Sequence, residues 1–315
     1  MKTRLLRYLA RRCRSTSDSV RIVEVGPRDG LQNEKSIISI AHKKEFIHKL
    51  ANAGLSTIEV TSFVSPKWVP QMADSIQVAS SIERKNDVTY CAIVPNKKGL
   101  QMATEGKIEH YCIGTAASET FCKKNWNCSI SDSLKITESL LDEMRRINPN
   151  AYIRGYISNV MGCPYEGNIQ QSVVVNLAEK LLEIGCSEIS LGDTIGTGTP
   201  RKFSNLIRDL VNIVPMEKIA VHCHDTYAQA LPNILVSLEQ GVRVFDSSAG
   251  GLGGCPYAPG AAGNVATEDL LYMLHGMGLS TGVSIDGVVG AARFICARMD
   301  KKIESKVGKA WKVEL

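Results

Sequence analysis

The chain has 315 residues, 44% of them hydrophobic and 22% charged, a globular composition and a length that suits one large α/β domain or two smaller ones. No apolar run approaches the roughly 20 residues that a membrane-spanning helix needs, which excludes that class. The formal charge of +5 is local: residues 1–18 hold Lys2, Arg4, Arg7, Arg11, Arg12 and Arg14 against Asp18 alone, and the rest of the chain carries 31 bases and 31 acids, so no basic nucleic-acid footprint is expected in its body.

Residues 1–18 read as a mitochondrial (or plastid) transit segment. Placed on a helix, Arg4, Arg7, Arg11 and Arg14 share one face, Leu5 and Leu9 lie off it, and Ser15, Thr16 and Ser17 follow. Arg7, Arg11 and Arg12 interrupt any apolar core of a secretory signal; a disordered basic tail is the alternative. The expectation is a mitochondrial matrix protein whose residues 19–315 form one domain. The ten cysteines are scattered without a Cys-x-x-Cys pair, so neither a zinc ribbon nor a redox dithiol is indicated. Most are expected to be small buried hydrophobes in a reducing compartment.

Beyond residue 20, short β-rich runs alternate with longer stretches of helical spacing. Strands are expected at residues 21–25, 57–61, 88–94, 108–113, 152–158, 188–191, 219–223 and 242–247. Leu134, Thr137, Leu141 and Met144 mark a helix before the fifth strand, and Val173, Leu177, Leu181 and Ile184 mark one before the sixth. Gly54, Gly185 and Gly241 sit where helix C-caps belong, each shortly before a strand. A final helical region runs from 268 to 298. About eight βα units in roughly 250 residues predict a TIM (β/α)8 barrel with additional C-terminal helices. A doubly wound open sheet is the lesser alternative, because no Gly-x-Gly-x-x-Gly loop follows the first strand. A barrel places its chemistry at the C-terminal ends of its strands.

The motifs fall there. Val221-His222-Cys223-His224-Asp225 ends the seventh strand, and residues two apart on a strand point the same way, so both imidazoles can converge on a divalent metal. Two hydrogen-bonded core histidines are the plainer alternative. Past the first strand comes Gly26-Pro27-Arg28-Asp29-Gly30-Leu31-Gln32. There Asp29 offers an anionic oxygen to the same metal, and Arg28 a planar cation for a carboxylate or a developing enolate oxygen. Alone, that pair would equally suit a salt bridge in a tight turn. After the eighth strand runs Ser247-Ser248-Ala249-Gly250-Gly251-Leu252-Gly253-Gly254-Cys255-Pro256-Tyr257, a glycine-rich loop that could hinge a lid, with Cys255 as a candidate proton donor. An ordinary surface loop is the competing reading. Asn264 could complete a metal shell through its amide oxygen. Glu59 and Glu24 place further acids in the barrel and are expected to orient Asp29 or another ligand; Asp193 could serve substrate or base chemistry.

Three stretches together carry a resemblance to the 3-hydroxy-3-methylglutaryl-CoA lyase family, over about residues 20–309. They are Arg28-Asp29-Gly30-Leu31-Gln32-Asn33-Glu34, His222-Cys223-His224-Asp225-Thr226-Tyr227 and Gly251-Leu252-Gly253-Gly254-Cys255-Pro256-Tyr257. The last is the specific one; the first two alone reach only a broader group of metal-dependent TIM barrels. The resemblance implies that Asp29, His222, His224 and Asn264 bind Mg²⁺ or Mn²⁺, that Arg28 neutralises an acetyl-CoA enolate oxygen, and that Cys255 is the catalytic thiol of a mobile loop. It gives Glu59, Asp193 and Glu268 supporting places, leaves His222 and Asp193 as candidate bases, and implies a retro-Claisen cleavage of an acyl-CoA substrate. Members are often dimers, so a homodimer is part of the expectation, with no nucleic-acid or membrane partner.

The chain departs from the family pattern at Ser248-Ala249-Gly250, at Ala228 (where glycine is common) and at Pro232 near the start of the seventh helix. Rival readings are a Claisen-type synthase such as homocitrate or isopropylmalate synthase, a zinc hydrolase, and a catalytically dead barrel. The synthases usually read His-x-His-Asn-Asp and lack the Gly-Gly-Cys-Pro-Tyr loop, whereas here His224 is followed by Asp225-Thr226.

Overall fold

A computed structural model describes residues 19–254 and 263–312. Residues 1–18 and Cys255 lie outside the described residues. Eight parallel strands close a barrel in chain order: β1 (Arg21–Glu24), β2 (Thr57–Ser62), β3 (Thr89–Ile93), β4 (His110–Ala116), β5 (Ile153–Ser158), β6 (Glu188–Asp193), β7 (Ile219–Cys223) and β8 (Val244–Ser247). The seam between first and last is a regular ladder, Arg21 opposite Val244 through Glu24 opposite Ser247. All eight expected strands are present, and no end is displaced by more than three residues.

Around the barrel lie α1 (Ile40–Asn52), α2 (Ser75–Ser81), α3 (Lys97–Glu105), α4 (Glu119–Trp126), α5 (Ile130–Ile147), α6 (Gln171–Ile184), α7 (Pro200–Leu210) and α8 (Ala230–Glu239). After β8 come α9 (Thr267–Gly276), α10 (Ile285–Arg298), packed on α1, and the short α11 (Lys306–Ala310). The helical region expected from 268 to 298 thus consists of two of the expected C-terminal helices, separated where Gly278 and Gly282 take positive φ.

Local chemistry sets the helix starts. Ser39, Asn96, Ser118, Ser129, Ser284 and Ser305 each accept a hydrogen bond from the backbone N–H three residues on, a satisfied N-cap. The three glycines expected at helix ends are all left-handed there. At Gly54 a Cβ would come 2.2 Å from the Gly282 carbonyl oxygen, so the close approach of these two turns admits no side chain.

Period-two alternation divides the strands. Ile22, Ile58, Val60, Ile113, Ile157, Leu191, Val221 and Phe245 join the apolar shell between strands and helices, and such buried aliphatics contribute roughly 1.5–3 kcal/mol each relative to exposure. The alternate positions of β1, β2, β5, β6, β7 and β8 carry Arg21, Glu59, Arg154, Tyr156, Glu188, His222 and Asp246, which bond to one another across the barrel. TIM-barrel interiors are ordinarily filled with branched aliphatics, so a charged interior marks this one out.

The segment after β7 accommodates two of the three departures noted in the sequence. Ala228 sits at φ 57°, a left-handed position that explains a preference for glycine there. Pro232 is the third residue of α8, where no helical acceptor awaits its missing N–H.

Candidate active site

The segment after β1 winds as one tight turn (Gly26–Gly30) about a single acceptor. The N–H groups of Arg28, Asp29 and Gly30 all point to the Val25 carbonyl, at 3.1, 2.7 and 3.1 Å. This turn presents two successive charged side chains at the C-terminal rim. It packs so closely on the loop after β8 that a Cβ on Gly30 would stand 2.7 Å from Ser248 Oγ and 3.0 Å from Leu252 Cβ.

Asp29 faces both histidines. Its Oδ2 lies 4.0 Å from His222 Nε2 and 3.8 Å from His224 Nε2, and one ligand atom from each of the three residues falls within 4.8 Å of the others. His222 and His224 are nearly buried, with ring centroids 5.3 Å apart. The Nδ1 of His222 is 3.0 Å from Asp246 Oδ2. An Nδ1–H donated to that carboxylate leaves the Nε2 lone pair facing Asp29, the tautomer that binds metal. One carboxylate and two inward imidazole nitrogens are a donor set that fits a divalent cation. Asn264 is also at the cluster, paired with His224 in an isolated bridge, but its Nδ2 donates to Asp29 Oδ2 (2.8 Å) and to the Leu252 carbonyl (3.1 Å). Ligation by its oxygen would take a rotation of the amide.

Arg28 lies beside the cluster, its Nη1 2.5 Å from Asp29 Oδ1 and its Nε bonded to Glu59. Burial works against the guanidinium charge, but Glu59 and Asp29 outweigh it and the pKa rises. Burial likewise pushes the Asp29 carboxyl up, yet Arg28 and the two imidazoles bring it well below the usual carboxylate range. Arg28, Asp29, His222 and His224 line one cavity of about 640 Å³, together with Trp68, Lys124, Trp126 and Asn127. That volume suits a ligand much larger than a metal and a dicarboxylate.

The other expected residues are placed as follows. Glu59 holds Arg28 rather than Asp29. Asp193 is fully buried with its two oxygens accepting from Thr197 N (3.1 Å) and Gly198 N (2.8 Å), and burial raises its pKa. Glu268 accepts from Gly250 N at 3.0 Å and from Ser305 Oγ, away from the cluster, where it fixes the start of the glycine-rich loop. Glu24 does not orient Asp29. Its Oε1 accepts from Gly26 N (2.8 Å) and Ala249 N (2.9 Å) and its Oε2 from Thr267 Oγ1 (2.7 Å), so it ties the two rim loops together. Asn33, also on the rim, donates to the Gly254 carbonyl at 2.8 Å.

Sequence reasoning missed Asp246, Tyr156 and Arg154. A signal existed: each is a polar residue at every second position of an otherwise apolar strand, and Asp246 stands in register opposite His222. The eight described cysteines are free thiols, all but Cys128 buried, as composition suggested.

A closed (β/α)8 barrel with Asp29, two histidines and an arginine gathered at the C-terminal rim belongs to the metal-dependent TIM barrels. The particular family follows from comparison: the chain belongs to the HMGL-like family, whose sequence profile matches residues 19–295. It is 52% identical to the cytoplasmic 3-hydroxy-3-methylglutaryl-CoA lyase of Rattus norvegicus over 291 residues, which is 92% of this chain and 84% of that one. It is 51% identical to the mitochondrial hydroxymethylglutaryl-CoA lyase of Macaca fascicularis over 92% of this chain and 89% of that one. A solved structure of an HMG-CoA lyase from Acinetobacter baumannii in complex with coenzyme A and 3-methylmalate superimposes with a TM-score of 0.89 at 33% identity, covering 94% of this chain and 96% of that one.

The loop tie through Glu24 has a pH consequence. Burial, offset in part by hydrogen bonds from Thr267, Ala249 and Gly26, raises its carboxyl from 4.5 to about 7. The folded protein therefore holds a proton that the unfolded chain releases, so this contribution to stability is complete below about pH 4.5 and is lost as pH rises through about 7. Glu24→Gln keeps the neutral shape and removes the titration. Between pH 5 and 8 the wild type should lose ~2–3 kcal/mol of unfolding free energy relative to the variant, read from urea unfolding. A wild-type–variant difference that does not change with pH would contradict this.

Proposed function

We propose that the chain cleaves (S)-3-hydroxy-3-methylglutaryl-CoA to acetyl-CoA and acetoacetate, the carbon–carbon lyase reaction of leucine breakdown and ketone-body formation. The observation that carries this reading is the shared cavity, in which Arg28 stands against Asp29 and both histidines line the same space. A bound Mg²⁺ or Mn²⁺, held by Asp29, His222 and His224 with Asn264, supplies Lewis-acid polarisation of the substrate's hydroxyl and carbonyl oxygens.

The chain's own residues divide the remaining work. Arg28 is clamped on two sides by Glu59 and Asp29, which leaves its Nη2 without a bond to any described residue. That N–H is free to meet the thioester oxygen as charge develops on it when the bond breaks, and a preorganised donor there lowers the barrier without reorganising. Of the two candidate bases, His222 has Nδ1 committed to Asp246 and Nε2 directed at the cluster, so it has no nitrogen spare for the substrate proton. Asp193, raised by burial and with one backbone N–H on each oxygen, keeps lone pairs for that role. Cys255, at the end of the glycine-rich loop, protonates the enolate carbon in this reading, as the family resemblance implies. Residues 1–18 address the protein to the mitochondrial matrix, and the mature enzyme is a homodimer.

Purified protein given HMG-CoA with Mg²⁺ or Mn²⁺ should release acetoacetate and acetyl-CoA in equal amounts; no acetoacetate with either ion would sink the reading. Arg28→Lys, which keeps the charge but cannot bridge Glu59, Asp29 and substrate at once, should lower kcat by roughly 100- to 1,000-fold. Unchanged turnover would remove Arg28 from the chemistry. A reporter fused to residues 1–18 should enter the matrix; one that stays in the cytosol refutes the address. Sedimentation of the purified enzyme as a monomer would do the same for the dimer.

A further inference from the structure

One of the side chains that sequence reasoning missed touches neither the cation cluster nor the cavity. Arg154, on β5, is the largest fully buried side chain among the described residues. Its guanidinium is used on three sides. Nη2 stands 2.5 Å from Asp246 Oδ1, Nη1 donates to Tyr156 Oη at 3.0 Å, and Nε is 2.9 Å from Glu188 Oε1, an ion-pair distance at an angle too oblique for a hydrogen bond.

Two of those contacts lead to the rim by separate routes. Asp246 Oδ2 meets His222 Nδ1 at 3.0 Å and accepts from Ser190 Oγ at 3.0 Å, so the first route ends on an imidazole of the cation cluster. Tyr156 Oη donates to Glu59 Oε2 at 2.6 Å, and Glu59 Oε1 takes the Arg28 Nε–H, so the second ends on the guanidinium that faces the thioester. Glu188 is held in turn by Tyr152 (2.6 Å) and Arg21, which anchors Arg154 at the far end of the barrel. Only a planar fork serves two such routes at fixed directions; a lysine ammonium on the same stem is a single point.

We propose that Arg154 is a positioning residue that sets the spacing between the two working halves of the site, fixing His222 through Asp246 and Arg28 through Tyr156 and Glu59. The inference rests on the lyase reading for the role of Arg28, while the His222 route stands on metal binding alone. On the first route, the Asp246 carboxylate accepts the Nδ1–H and holds the lone pair of Nε2 toward Asp29. On the second, burial pushes the Tyr156 phenol up, so it remains a donor and keeps Glu59 turned to Arg28. A shift of either route changes the distance between metal ligands and enolate donor, and misplacement of about 1 Å at a reacting centre can cost roughly 100-fold in rate.

Near-isosteric variants cut the routes one at a time. Asp246→Asn should weaken Mn²⁺ binding, read from the free-ion EPR signal of the purified protein without substrate, by about 10- to 100-fold. Tyr156→Phe should leave the Mn²⁺ Kd within about twofold of wild type and lower kcat by about tenfold or more. Arg154→Lys should do both. Thermal unfolding of each variant identifies any that fails to fold, and the first two variants keep the inference testable if Arg154→Lys does. Wild-type Mn²⁺ affinity in folded Asp246→Asn overturns the first route, and Tyr156→Phe with wild-type kcat, or with Mn²⁺ affinity lost in step with Asp246→Asn, overturns the second. Failure of the lyase reading is a different result, wild-type enzyme that releases no acetoacetate, and it leaves the Mn²⁺ comparison intact.

Discussion

Arg154 and Asp246 meet inside a closed barrel, both without exposure, and much of the site follows from the need to pair them. Taking such charges out of water is expensive, and removing one partner of a buried pair typically costs about 3–5 kcal/mol because the other is stranded. Each inward charge therefore fixes its neighbour. Glu188 answers Arg154 and Arg21, Asp246 answers Arg154 and His222, and Glu59 answers Arg28 and Tyr156. Replacing such buried pairs by well-packed aliphatics is often neutral or stabilising, so the network is better explained by where it holds the rim side chains than by stability.

The electrostatics of the barrel's interior network point to a cation at its rim. Arg21, Arg28 and Arg154 face Asp29, Glu59, Glu188 and Asp246 across the network, three positive groups against four negative. The deficit falls where Asp29 looks toward two imidazoles rather than a second guanidinium. Arg28 is bonded to both Asp29 and Glu59, which keeps Asp29 ionised and also holds the guanidinium still. Neither loop achieves this alone: the turn Gly26–Gly30 and the segment after β8 are joined through Glu24 and through the close packing of Gly30 on Leu252.

The barrel was legible because its two periodicities are strong. Short β-rich runs alternate with stretches of helical spacing, and Gly54, Gly185 and Gly241 mark helix ends shortly before strands. Asp29, His222 and His224 were legible because they sit at strand ends in short motifs, where the fold predicts chemistry. Arg154, Tyr156 and Asp246 were harder to find. Their partners are 24 to 97 residues away except for the Arg154–Tyr156 contact, and only strand register brings them together. Glu24 was seen as an acid in the barrel but placed against Asp29; the structure gives it the backbone N–H groups of two loops, a task for which its type carries no signal. The C-terminal helices were legible as a helical region, which Gly278 and Gly282 divide into α9 and α10.

The proposed chemistry requires that both histidines and Asp29 share one divalent ion during turnover. Electron spin echo envelope modulation of the enzyme loaded with Mn²⁺ reads ligand nitrogens directly. Couplings from two imidazole nitrogens are expected in wild type and from one in His224→Ala. An enzyme that cleaves HMG-CoA with Mn²⁺ bound and shows no imidazole coupling would contradict it.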